Sequence, residues 1–194
     1  MTSPIVLGNG QLHVTLNEFG QVDGFHFPQI GLLNHTAGQQ VQHHIGVWVD
    51  GKTSWLQLHA SDWEITAKYP YRALISATKA VNKKIGIALE FSDAVDGERA
   101  IFLRNIHIVN MWNDAREIRL FMHQAFTLDD RRTGADTIEY RKGQHALLHY
   151  RGNRTFMIGG RSEAHDSFDQ YSVGHFGAPG QDGTYRDADD GELS

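Results

Sequence analysis

Residues 44–56 read HIGVWVDGKTSWL, and this stretch decides the fold. Ile45, Val47 and Val49 fall at every second position, with His44 and Trp48 opposite them. Successive side chains of a strand point to opposite faces, so the pattern describes a strand with one aliphatic face. Asp50-Gly51 then separates VWV from the SWLQL run. Both residues tolerate positive φ, which a two-residue hairpin turn requires. The stretch therefore predicts two antiparallel strands joined by a tight turn.

The same period extends outward in both directions. Leu12, Val14 and Leu16 alternate with His13, Thr15 and Asn17 in QLHVTLN, and KKIGIALEF places Ile85, Ile87, Leu89 and Phe91 on one face. IFLRNIHIVN, EIRLFMHQAF, HALLHYR and RTFMIGG follow as further strands, with turn signals at Asn113-Asp114, Lys142-Gly143 and Gly152-Asn153. No amphipathic helix of three turns is found. DWEITAKYPYRALISATKAVN reads as strands around a bend, because Pro70 and the β-branched and aromatic residues disfavour a helix. The expectation is an all-β fold, a large antiparallel two-sheet β-sandwich, occupying residues 1–173. From Gly174 to Ser194 the chain is rich in Gly and Asp and poor in apolar residues, and reads as a loop-like tail.

Composition narrows the function classes. At 194 residues, 40% hydrophobic and 21% charged, the chain suits one large globular domain. A formal net charge of −5 with no basic run argues against nucleic acid or an anionic membrane as a partner. Without cysteine there is no disulfide, thiolate metal site or cysteine nucleophile. MTSPIVLGNG lacks a basic region followed by an apolar stretch, so the reading is a cytoplasmic protein, and no run approaches the roughly 18 apolar residues of a spanning helix.

Candidate chemistry is sparse. The twelve histidines lack metal-site spacing; His43 and His44 point to opposite faces of one strand, and His13, His107 and His123 stand singly. No metal is expected. Asp187 to Gly191 faintly resembles a calcium loop but lacks its spacing and closing Glu, so a solvated turn is the reading. A nucleophile elbow, a P-loop and a dinucleotide fingerprint are all missing, and GNGQLHV opens a strand, so no cofactor is expected. Glycosidase chemistry needs two carboxyl groups, yet Glu64, Asp93, Asp96 and Glu139 all read as surface residues. Trp48, Trp55, Trp63 and Trp112 offer flat apolar platforms for sugar rings, although tryptophans at this density more often fill a core or cover a domain interface. Trp48 and Trp55 are the candidate substrate-binding residues, Trp48 because it lies opposite the aliphatic face.

IVLGNGQLHVTLNEFGQVDGFHFPQIGLLNH resembles the opening of prokaryotic glycoside hydrolase family 15 proteins, the group containing glucoamylases and glucodextranases. HHIGVWVDGKTSWL is similar to that family's tryptophan-bearing hairpin, and FLRNIHIVN with EIRLFMHQAF to its central strands. DTIEYRKGQHALLHYRGNRTFMIGG and GTYRDADDGELS resemble later portions, so the likeness is collinear over nearly the whole sequence. The resemblance implies an N-terminal supersandwich of the galactose-mutarotase type, packed on a separate (α/α)6 barrel. That barrel carries two glutamates that hydrolyse α-glucosidic bonds of glucans or oligosaccharides with inversion. No catalytic residue is carried over to this sequence. Further sandwich strands follow the DADDGELS-like stretch in that family, so the implied sandwich lacks its closing strands and presents an edge suited to self-association. A stand-alone carbohydrate-binding module and a mutarotase-like sugar epimerase are the alternative readings.

Overall fold

A computed structural model of the chain describes residues 4–29, 31, 33–36, 43–70, 72–129, 136–178, 181–182 and 185–193, and nearly every element within them is a strand. β1 (Ile5–Gly8), β2 (His13–Leu16) and β3 (Val22–His26) form a first antiparallel meander. β4 (His43–Val49) and β5 (Lys52–Trp55) make the hairpin read from residues 44–56. β6 (Glu64–Lys68), β7 (Ile75–Asn82), β8 (Ile87–Val95) and β9 (Phe102–Asn110) form a four-stranded meander. β10 (Ile118–Gln124) returns to the far side of β4, giving the order β10-β4-β5. β11 (Thr137–Arg141), β12 (Ala146–Arg151) and β13 (Arg154–Gly159) add another meander. β14 (Phe176–Ala178) and β15 (Gln181–Asp182) pair briefly before a 3-10 segment, Tyr185–Asp190.

The hairpin turn has the chemistry its sequence promises. Val49 pairs with Lys52, leaving two loop residues, and Asp50 (φ 52°) and Gly51 (φ 77°) both lie in the left-handed region. That geometry twists with the flanking strands instead of splaying them. The bend around Pro70 likewise separates two strands, β6 and β7, as the residue pattern predicts.

The main core lies between the β10-β4-β5 sheet and the β6–β9 sheet. Ile45, Val47 and Val49 of β4, each at most 2% exposed, pack on Ala80 of β7 and on Ile87, Leu89 and Phe91 of β8. Each such aliphatic side chain contributes about 1.5–3 kcal/mol by leaving water. Two sheets facing each other across alternating apolar rows make the antiparallel β-sandwich. The first meander closes one end, its Leu7, Leu12, Val14 and Leu16 packing on Ala67, Val95 and Phe102. Phe126, Leu128 and Phe156 meet Phe25 and Phe27 beside the β11–β13 meander. No helix among the described residues is long and apolar enough to cross a membrane.

Asp93 departs from its surface reading. It shares parity with Ile87, Leu89 and Phe91 along β8, so the strand turns it inward and leaves it fully buried. Arg104 of β9, directly opposite, reaches both its oxygens, at 2.7 Å through Nε and 2.9 Å through Nη2. Ser76 donates a further hydrogen bond at 3.1 Å, and the guanidinium also donates to the Gly20 carbonyl. A buried ion pair is only as good as its full set of partners, and this one has them. Asp93→Ala, which strands the Arg104 charge, is expected to cost about 3–5 kcal/mol in urea unfolding. A loss below about 1 kcal/mol, the size of a surface pair, would show that the guanidinium finds water instead.

Candidate functional site

The outer face of the β10-β4-β5 sheet carries the sequence's candidate tryptophans. His44, Gly46 and Trp48 of β4 point away from the core, as the alternation requires. Register sets their neighbours: His44 lies opposite His123, Gly46 between Phe121 and Trp55, and Trp48 between Arg119 and Thr53. Gly46 is where the Trp55 ring crowds the backbone. A Cβ there would stand 2.5 Å from the Trp55 ring, so the missing side chain is what lets the indole lie across β4.

The tail, read from sequence as loop, covers this face. Tyr185, Ala188 and Leu193 pack with Trp48, Trp55 and Phe121 into a small apolar cluster. The Thr53 hydroxyl donates to the Ala188 carbonyl at 2.9 Å, and Arg119 donates to the Gly191 carbonyl and faces Glu192 at 3.2 Å. Gly191 (φ +91°) sits so close to Trp48 that a Cβ would approach its ring to 2.6 Å. Leu193 N donates to Gln170 Oε1 at 3.1 Å, fastening the end of the strap.

Trp55 is therefore 3% exposed, and Trp48 is half-buried with the Arg119 guanidinium 5.1 Å from its ring. Both indole N–H groups are buried without a hydrogen-bond partner among the described residues. The other two tryptophans sit elsewhere. Trp63 is buried and donates to Ser54 Oγ at 3.0 Å, while Trp112 is exposed and stacked on Arg116.

One end of the same sheet gathers histidines that look scattered in sequence. His44 and His123 face each other across the β4–β10 pair, rings 6.2 Å apart, and the Tyr185 ring lies 5.8 Å from His123. His43, on the opposite face of β4, stacks edge-on against Phe126 at 4.7 Å. A cavity of about 50 Å³ opens here, lined by Gln21, His43, His44, Arg104, Met122 and His123 among others. It has room for ordered water but not for a sugar ring. Burial above all, and then the positive charge of His123, Arg104 and His44, hold His43 down to about 3. Burial alone lowers His44. His149 on β12 is also lowered by burial, offset in part by Asp136 at 3.8 Å.

The remaining candidate carboxylates have structural partners. Glu64 pairs with Lys83 and Glu139 with Arg141, and Asp96 accepts the backbone N–H groups of Glu98 and Arg99. The Asp187–Gly191 stretch spends its Ala188 and Asp189 carbonyls on Thr53. Among the described residues, no group of three His, Asp or Glu side chains could hold a metal ion.

Comparison with known proteins bears on this site. The sequence is 23% identical over 154 residues to an uncharacterized glycosyl hydrolase of Methanocaldococcus jannaschii. The match takes in 79% of this chain and 23% of that protein, so the chain spans under a quarter of the relative's length. No family model matches the sequence, and no solved structure matches it. The chain is a distant relative of a glycosyl hydrolase.

Two outcomes follow from the geometry. Gly191→Ala adds a methyl group against Trp48 at a left-handed φ, so the strap is expected to lift. Tryptophan emission should then shift to the red and acrylamide quenching increase, with far-ultraviolet dichroism unchanged; an unmoved spectrum means the strap accommodates the methyl. The second outcome concerns acid. An unfolded histidine titrates near about 6.5, whereas folded His43 stays neutral to about 3. Between those values only the unfolded chain takes up the proton, so stability falls as pH drops through that window, by about 1.4 kcal/mol per pH unit for each such histidine. His43→Gln is expected to remove one such increment from the slope of unfolding free energy against pH; an unchanged slope would assign the acid sensitivity elsewhere.

Proposed function

We propose that this chain is a non-catalytic β-sandwich region of a glucoamylase-like glycoside hydrolase, a supersandwich of the galactose-mutarotase type. In that reading it supports an (α/α)6 barrel that hydrolyses α-glucosidic bonds of glucans or oligosaccharides with inversion. The observation that carries the proposal is the match over 154 residues to a glycosyl hydrolase, on a chain folded as an antiparallel sandwich. Inverting hydrolysis needs two carboxyl groups about 6.5–9.5 Å apart across a sugar bond, one of them held protonated. Asp93, Glu64, Asp96 and Glu139 are instead engaged with arginine, lysine or backbone N–H groups. At Asp96 the two backbone N–H groups hold the carboxyl below its ordinary value, which opposes a general-acid role there.

A second reading has a specific observation in its favour. Trp48 and Trp55 lie side by side in the sheet with buried N–H groups that have no partner among the described residues, and an indole with a free donor suits a hydroxylated sugar face. Sugar contact at these rings requires the strap to move, since Gly191 and Ala188 occupy the space above them.

The chain alone is expected to release no reducing sugar from maltooligosaccharides or dextran and to leave the mutarotation of fresh α-glucose unaccelerated in polarimetry. Steady hydrolysis that persists through purification would refute the non-catalytic reading. Calorimetric titration with maltooligosaccharides separates the two readings: saturable heats abolished in Trp48→Ala make the sandwich a binding module, and their absence leaves the supporting role.

A further inference from the structure

We propose that the chain pairs with a second copy of itself along β9, at the open side of the sandwich. This goes beyond the glycosidase reading and does not depend on it. β9 is the outer strand of the β6-β7-β8-β9 sheet, and β10 is the outer strand of the sheet facing it. The two edges lie above one another, because Ile106 and Ile108 of β9 and Ile118 and Leu120 of β10 border the same core cluster. Among the described residues, no backbone hydrogen bond joins the free edge of β9 to another strand.

Burial across the sheet shows that the core reaches the surface here. Ile87, Leu89 and Phe91 of β8 are at most 2% exposed, whereas β9 has no fully buried residue along its nine positions. Leu103 is 52% exposed, and Met122 of β10 is 43% exposed. An apolar seam beside the open edge of β9 is a template for strand addition.

The two edges of this one sheet are treated differently. β6 is five residues long, and its exposed row is Glu64, Thr66 and Lys68, with Glu64 further tied to Lys83. Charges on a short strand are the ordinary guard against edge pairing. β9 is nine residues long, and its exposed row is Leu103, Asn105 and His107. Its one formal charge, Arg104, points inward and is neutralised by Asp93. Two copies of an uncharged edge can meet antiparallel about a two-fold axis without setting like charges face to face, which is the self-complementarity that a two-fold dimer requires. The neutral row is the argument for a second copy: a strongly charged partner strand would find nothing there to answer it. The pairing joins two four-stranded sheets into one and covers Leu103.

Sedimentation equilibrium on the purified chain over a wide concentration range tests this. The expected result is a monomer–dimer equilibrium, with slowed hydrogen exchange at alternate β9 amides when the dimer is populated. Asn105→Lys places an unpaired charge on the exposed row and is expected to weaken the dimer by at least about tenfold, with the melting temperature of the monomer unchanged. A monomer at every concentration overturns the proposal. So does a dimer that Asn105→Lys leaves intact, or one whose formation protects no β9 amide. If Asn105→Lys unfolds the chain, Leu103→Thr serves as the second variant, reading the same equilibrium without a new charge.

Discussion

β4 is covered on both of its faces and paired along both of its edges, and the remaining layers are positioned by that fact. Six of its seven residues are buried. Ile45, Val47 and Val49 knit it to β7 and β8, while His44, Gly46 and Trp48 form the floor on which Tyr185–Leu193 rests. β5 and β10 satisfy its backbone from either side. A strand in this position has no tolerance for a register slip, because moving by one residue would exchange tryptophan and histidine with the aliphatic row. The tight Asp50-Gly51 turn fixes the register at one end, and the seven-residue pairing with β10 fixes it along the whole strand.

Buried polar groups lie on both sides of β4. On the core side Asp93 is partnered by Arg104 and Ser76, Trp63 by Ser54, and Ser54 in turn by Asn82, while Thr78 Oγ1 and His43 Nε2 have no partner among the described residues. On the outer side the Trp48 and Trp55 N–H groups have no partner among the described residues, and beside the small cavity neither does Gln21 Oε1. Unpaired buried donors and acceptors each cost on the order of 1–3 kcal/mol.

Much of the strand pattern is legible in the sequence because each strand carries its own period. β2, β4 and β8 announce themselves through alternate apolar residues, and the hairpin through two turn residues. β3 does not: VDGFH interrupts its alternation with Asp23 and Gly24, and its pairing with β2 shifts register between Thr15 and Leu16. The inward placement of Asp93 was available from parity, being in step with Phe91, but a carboxylate read singly defaults to the surface. The histidine cluster and the strap are of another kind. His44 meets His123 only because β10 crosses back to β4. The tail covers the tryptophans because of the close fit between Gly191 and Trp48, which no local period encodes.

The strap also orders events in time. Thr53 and the Ala188 carbonyl it binds are 135 positions apart in the chain. A ribosome delivers the β4–β5 hairpin early and residues 185–193 nearly last among those described, at about 5–20 residues per second. In the later part of that interval, once β7, β8 and β10 have been made, the sandwich can close its aliphatic core while Trp48, Trp55 and Phe121 face solvent. The nascent chain therefore passes through a stage in which its aromatic floor is bare, and the arrival of one nine-residue segment ends it.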